Sequence, residues 1–99
     1  MFIFNLTYVK PLSDVDHYLS KHIEFLNEHY EKQVFVCSGR KIPRTGGIIL
    51  CNCSNLEEAK AIMEKDPFYK EGIAKYEIIE FVPSKTSKEF EGVLAKHIE

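Results

Sequence analysis

Gln33-Val34-Phe35-Val36-Cys37-Ser38-Gly39 and Gly47-Ile48-Ile49-Leu50-Cys51-Asn52-Cys53 are two apolar runs joined by Arg40-Lys41-Ile42-Pro43-Arg44-Thr45-Gly46. Short β-branched runs that end or begin on glycine predict two strands of a hairpin, its tip carrying Arg40, Lys41 and Arg44. Both runs are apolar at successive positions. Val34 and Val36 alternate with Phe35 and Cys37, and Ile48 and Leu50 with Ile49 and Cys51. Both faces of the hairpin therefore need cover.

Upstream, Phe2, Phe4, Leu6 and Tyr8 alternate with Ile3, Asn5, Thr7 and Val9, which predicts a strand stopped by Pro11. Ser13-Asp14-Val15-Asp16 then reads as a helix start with Ser13 as N-cap. The helix is expected over 14–30, with Val15, Tyr18, Leu19, His22, Leu26 and Tyr30 on its apolar stripe. Downstream, Ser54-Asn55-Leu56-Glu57 opens a second helix whose stripe is Leu56, Ala59 and Met63, with Ile62 at its edge and Pro67 ending it. Residues 76–82 form a fourth strand, stopped by Pro83. Phe90, Val93, Leu94, His97 and Ile98 are spaced as one face of a C-terminal helix entered through Thr86-Ser87-Lys88-Glu89. The order is βαββαβ plus a tail helix, a ferredoxin-like α+β arrangement with the helices on one face of the sheet. Residues 1–83 make the domain and 84–99 the helical tail. A second copy is the simplest cover for the other face, so a homodimer through the sheet faces is expected.

Ninety-nine residues suffice for one core, and 44% apolar residues fit an ordinary globular chain. A net charge of −2 argues against a nucleic-acid surface, which needs a clustered basic stripe. No apolar run reaches about 18 residues, so no membrane span is expected. The first residues carry neither a basic leader nor a small-residue cleavage site, and they read as a strand. The three cysteines, Cys37, Cys51 and Cys53, form no C-x-x-C pair and lack a fourth ligand at zinc spacing. They read as small apolar fillers in a reducing compartment. The expectation is a cytoplasmic protein without metal or cofactor.

Two residues stand against local preference. His22 lies in the apolar stripe of the first helix, either as a satisfied core histidine or as a site residue. Asp66 precedes Pro67, which pushes it out of the helix. At a helix C-terminus its charge opposes the dipole, so it is either a turn starter or a carboxylate compensated by a donor. His17 falls on the solvated side, while His29 and His97 read as structural. In the βαββαβ order the end of the second helix, the hairpin tip and the start of the first helix gather at one end of the sheet. An Asp oriented on a His there would fix the tautomer of a general base. Lys41 and Arg44 are either a solvated tip or hooks for an anion beside Gly46-Gly47, and Phe68 and Tyr69 are candidate walls of the same pocket.

Tyr18-Leu19-x-x-His22-x-x-Phe25-Leu26, the Ser38-Gly39 strand end, the Gly46-Gly47 turn and Asp66-Pro67-Phe68 followed by Gly72 resemble the YciI-like (YCII-related) family over about residues 1–83. The resemblance implies a dimeric α+β barrel fold and a His–Asp active site at His22 and Asp66, with Ser38 in the adjoining Ser-Gly element. One branch of that family removes chloride from a chlorinated hydroxyhydroquinone. Many relatives carry Arg a turn before the helical His and Pro after Ser-Gly, where this chain has Leu19 and Arg40. The anion contact implied for that helical Arg is then either absent or moved to Arg40, Lys41 or Arg44.

The expected function is a cofactor-independent isomerase or lyase, with His22 and Asp66 transferring a proton on a small anionic or phenolic molecule. The alternative is a non-catalytic dimeric module that binds a small ligand or a protein. The strands lack the exposed aromatics with basic neighbours that single-stranded RNA binding would require, and a Gly-rich phosphate loop with its Arg is missing too.

Overall fold

Alternation sets the sheet. In the computed structural model, which describes residues 1–94, β1 (Phe2–Tyr8) buries Phe2, Phe4 and Leu6 on one face. β1 is central, antiparallel to β3 (Gly46–Cys51) on one side and β4 (Ala74–Glu80) on the other, with β2 (Phe35–Arg40) at the edge in the order β2-β3-β1-β4. α1 (Leu12–Glu31) follows β1, and α2 (Leu56–Met63) follows β3. Val15 and Phe25 of α1 join Ala59 and Ile62 of α2 in one core with Phe2, Phe4, Phe35 and Ile49. The split βαβ arrangement expected from the element order is the arrangement found. At the centre Phe4 meets the rings of Phe35 and Tyr76 edge-on, at 6.1 and 5.7 Å.

Several boundaries differ from the sequence reading, each for a local reason. α1 starts at Leu12, with Pro11 as its extended N-cap residue, and Ser13 lies inside the helix without capping it. Proline's fixed φ suits the entry, and Asp14 supplies the acidic first turn instead. The buried line of α1 is Val15, His22, Phe25 and His29, while Tyr18, Leu19, Leu26 and Tyr30 flank it half-buried. β2 begins two residues later than expected because Gln33, at φ 60°, closes α1. Its N–H bonds Tyr30 O, and the next N–H, of Val34, bonds His29 O. Between Phe35 and Cys37 the register with β3 slips, leaving a bulge at Val36. In α2, Asn55 is the N-cap, accepting from Glu58 N–H at 2.8 Å, while the Glu58 carboxylate accepts from Ser54 N–H at 3.1 Å. Leu56 is exposed and Ile62 is buried, so the inward line runs through Ala59 and Ile62.

The largest departure concerns Asp66. α2 ends at Met63, and Asp66 is the N-cap of a separate short helix, α3 (Pro67–Lys70), with Pro67 at its first position. The carboxylate meets a helix N-terminus, where the dipole favours it, and not the C-terminus that the sequence suggested. Gly72, at φ 66°, closes α3. Gly72 N–H bonds Tyr69 O, and Ile73 N–H bonds Phe68 O.

On the outer face of the sheet Leu50, Ile3 and Ile79 form one row, and Ile48, Ile79 and Phe81 are exposed. The tail turns through Lys88–Phe90 into α4 (Glu91–Leu94), held by Asn52 Nδ2–H to Val93 O at 3.1 Å. His97 and Ile98, expected on this helix, lie outside the described residues.

Gly46 sits in the ladder opposite Thr7, and a Cβ there would fall 1.8 Å from the Leu6 carbonyl oxygen. Backbone cannot step aside as a side-chain tip can. Gly46→Ala is expected to destabilise the fold by about 3 kcal/mol, read as a lower urea midpoint with an unchanged m-value. An unshifted midpoint would mean that β1 and β3 can separate freely.

Candidate active site

The topology gathers the end of β2, the start of β3, the middle of α1 and the α2–α3 junction at one end of the sheet. Between them lies a cavity of about 300 Å³. Its walls are mainly apolar, with Leu19, Ile23 and Leu26 from α1, Leu6 and Tyr8 from β1, and Phe68 from α3. Its polar lining comes from His22, Ser38 and Arg40, and Gly39, Gly46 and Gly47 expose backbone to it.

His22 is held on two sides. Phe68 stacks on its ring at 4.1 Å between centroids and 6° between planes. Nδ1 lies 2.8 Å from Asp66 Oδ1. Asp66 is fully buried and receives two further donors, the Phe68 backbone N–H on Oδ1 at 2.9 Å and the Tyr76 hydroxyl on Oδ2. A carboxylate supplied by an N–H and an O–H can only accept, so Nδ1 of His22 carries the hydrogen. In the neutral ring, Nε2 is then the nitrogen that holds the lone pair. No protein partner occupies it among the described residues, and it is not among their sealed, unpartnered buried atoms. The site therefore presents an imidazole anchored through Nδ1, with Nε2 unpartnered among the described residues.

The other proposed site residues divide by geometry. Ser38 Oγ lies 2.6 Å from the Tyr30 hydroxyl, which orients it from α1. Arg40 is the cation on the cavity wall. Lys41 Nζ–H donates to Thr7 Oγ1 at 3.2 Å, and Arg44 Nη2–H to Asp16 Oδ1 at 2.6 Å, so these two cations are turned to β1 and α1. Arg44 is raised above its usual pKa, chiefly by that bond. Tyr69 is largely exposed and lies outside the cavity wall, edge-on to Tyr76 at 6.0 Å. The phenol of Tyr76 did not stand out in the sequence, because it occupies an ordinary inward position of β4. A Tyr opposite the only buried Asp among the described residues is recognisable once the register is known.

His29 is also buried, with Nδ1 at 2.8 Å from Phe25 O and its ring stacked on Phe35, a satisfied core histidine. Cys51 and Cys53 are buried and Cys37 is exposed, all as free thiols. Among the described residues no three His, Cys, Asp or Glu side chains converge as metal ligands.

Fold and site together define a small α+β, ferredoxin-like protein with an anchored imidazole facing an apolar cavity. The chain belongs to the YCII-related domain family, whose model matches residues 1–82. Among solved structures it is similar to 5-chloro-2-hydroxyhydroquinone dehydrochlorinase from Burkholderia phenoliruptrix AC1100, solved in complex with 2,5-dihydroxybenzoquinone. The TM-score is 0.69 at 18% identity, over 90% of this chain and 98% of that one. That likeness is one of fold. No curated protein matches the chain.

Burial first, then the adjacent Asp66 charge and the bond to it, raise Tyr76 far above the ordinary phenol range. The unfolded chain ionises the same phenol near pH 10, so above about pH 10 it releases a proton that the folded chain keeps. The stability that is complete below that pH then falls, by about 1.4 kcal/mol per pH unit from this group. Urea denaturation from pH 9 to 11.5 should show a steeper loss for the wild type than for Tyr76→Phe. Parallel curves would mean that the phenol ionises freely in the folded chain.

Proposed function

We propose that the protein is a small enzyme in which His22 Nε2 accepts a proton from a compact phenolic or anionic molecule seated in the cavity. The observation that carries this reading is the Nδ1–Asp66 bond with Nε2 left free beside the cavity. Asp66 fixes the tautomer and stabilises the imidazolium that forms. Phe68 offers that imidazolium its ring face at 4.1 Å, a favourable cation–π arrangement. The electron pair left by the proton either moves to another position of the substrate, to which Nε2 returns the proton, an isomerisation, or expels a leaving group such as chloride while Nε2 keeps the proton, an elimination. The volume is at the lower end of ligand pockets, which suits a single ring. Arg40 supplies the positive charge for a phenolate or carboxylate, with Ser38 and the backbone at Gly39, Gly46 and Gly47 within the same wall. The fold-level neighbour that dehydrochlorinates a hydroxyhydroquinone supports this class of chemistry.

The complete burial of Asp66 and the close stacking of His22 also suit a second reading, a non-catalytic ligand-binding module in which the pair is a strut. Chloride release from 5-chloro-2-hydroxyhydroquinone separates the two. Wild-type protein should accelerate it over buffer, His22→Gln should lower the rate by about 10²-fold or more, and Asp66→Asn should lower it with the fold retained in a thermal melt. Equal rates for wild type and His22→Gln would leave the ligand-binding reading in place.

We further propose that the protein works as a homodimer joined through the outer sheet faces, supported by the Leu50–Ile3–Ile79 row and by exposed Ile48 and Phe81. Light scattering at micromolar concentration should give twice the chain mass, and Ile79→Glu should give the monomer. A monomeric wild type with its fold intact would overturn the dimer.

A further inference from the structure

Asp66 Oδ1 has two donors, His22 Nδ1–H and the Phe68 N–H, whereas Oδ2 has one, the Tyr76 hydroxyl. Tyr76 reaches it from β4, across the core from α1. Its ring is lodged between Phe4, at 5.7 Å, and Tyr69, at 6.0 Å, both edge-on. Its backbone is in register with Leu6 in the centre of the sheet. A phenol so placed has little freedom to turn elsewhere.

We propose that Tyr76 is a positioning residue that regulates how strongly Asp66 acts on His22. The inference rests on the reading of His22 as proton acceptor. A buried carboxylate 2.8 Å from an imidazole tends to hold it as the imidazolium, which has no lone pair to accept a proton. A hydrogen bond to the far oxygen draws charge toward Oδ2 and leaves less on Oδ1. Tyr76 thus keeps the pair strong enough to fix the tautomer and weak enough to leave Nε2 basic yet unprotonated. The phenol itself keeps its proton, since burial and the Asp66 charge oppose its ionisation. The other titratable or charged groups around the pair are Tyr8 on β1, Arg40 on β2, Cys51 on β3 and Tyr69 on α3. None of them has a hydrogen bond to the Asp66 carboxylate among the described residues.

The test follows the histidine C–H signals by NMR across pH, with the His22 resonance assigned by its loss in His22→Gln. Asp66→Asn removes the anion and should lower the protonation midpoint of His22. Tyr76→Phe leaves Oδ2 without a donor, concentrates charge on Oδ1 and should raise that midpoint by roughly half a pH unit or more. Site-specific 3-fluorotyrosine at position 76 keeps the shape and strengthens the donor, so it should lower the midpoint. It also carries the test if the Phe variant does not fold. Opposite displacements by the two Tyr76 variants support the inference, because a phenol that only fills space would produce neither. A midpoint moved by Asp66→Asn but unmoved by both Tyr76 variants overturns the role of Tyr76 alone. A midpoint unmoved by Asp66→Asn overturns the pair itself, and the proposed function with it.

Discussion

One buried carboxylate organises this end of the molecule. Asp66 is wholly removed from solvent, and an ion in that position is tolerable only when donors replace the lost water. Its three donors come from α1, from the first turn of α3 and from β4. The charge therefore ties both helical segments to the sheet and fixes the height of α1 above it. Removing the Tyr76 hydroxyl would leave Oδ2 unmatched, which is more costly than losing an ordinary bond. The same need that makes the structure rigid here also dictates which nitrogen of His22 is free.

The cavity is a consequence of small residues opposite large ones. Phe25, His29 and Phe35 fill the far part of the space between α1 and the sheet with touching rings. Toward the hairpin the sheet offers Gly39, Gly46 and Gly47, with no side chains to fill the gap beneath Leu19, Ile23 and Leu26. His22 stands at the boundary between these two regions, its ring packed on Phe68 and its edge open. A histidine deeper in the core would resemble His29, satisfied by a carbonyl and closed to any ligand. Position along one helix thus separates an imidazole enclosed in the core from one that lines the cavity.

Much of this was legible beforehand for a simple reason: strand alternation and helix stripes are local patterns that burial enforces. Phe2, Phe4 and Leu6 point inward as their spacing says, and the βαββαβ order leaves few ways to arrange the layers. His22 and Asp66 could be singled out because each sits against a local rule. The rule invoked for Asp66 was the wrong one. Read along the chain, Asp66-Pro67 ends a helix. In space it begins another, since proline is welcome at a first helical position and Asp is a good cap. The sequence left the role of the hairpin cations open. Lys41 and Arg44 look available in sequence, yet Thr7 and Asp16, distant along the chain, lie close enough to take them.

The sequence by itself determined the element order, the inward face of the first strand, the family and the two residues, His22 and Asp66, that sit against local rules. All of these depend on neighbours within a few positions or on a motif. The tertiary structure alone decided that Nδ1 of His22 meets Asp66, that Tyr76 completes the carboxylate's shell, and that Arg40 is the cation left on the cavity wall. Each of those facts joins residues from separate elements. Their meeting depends on the strand register and on the bulge in β2, and a shift of one residue in either would turn the side chains to the opposite face.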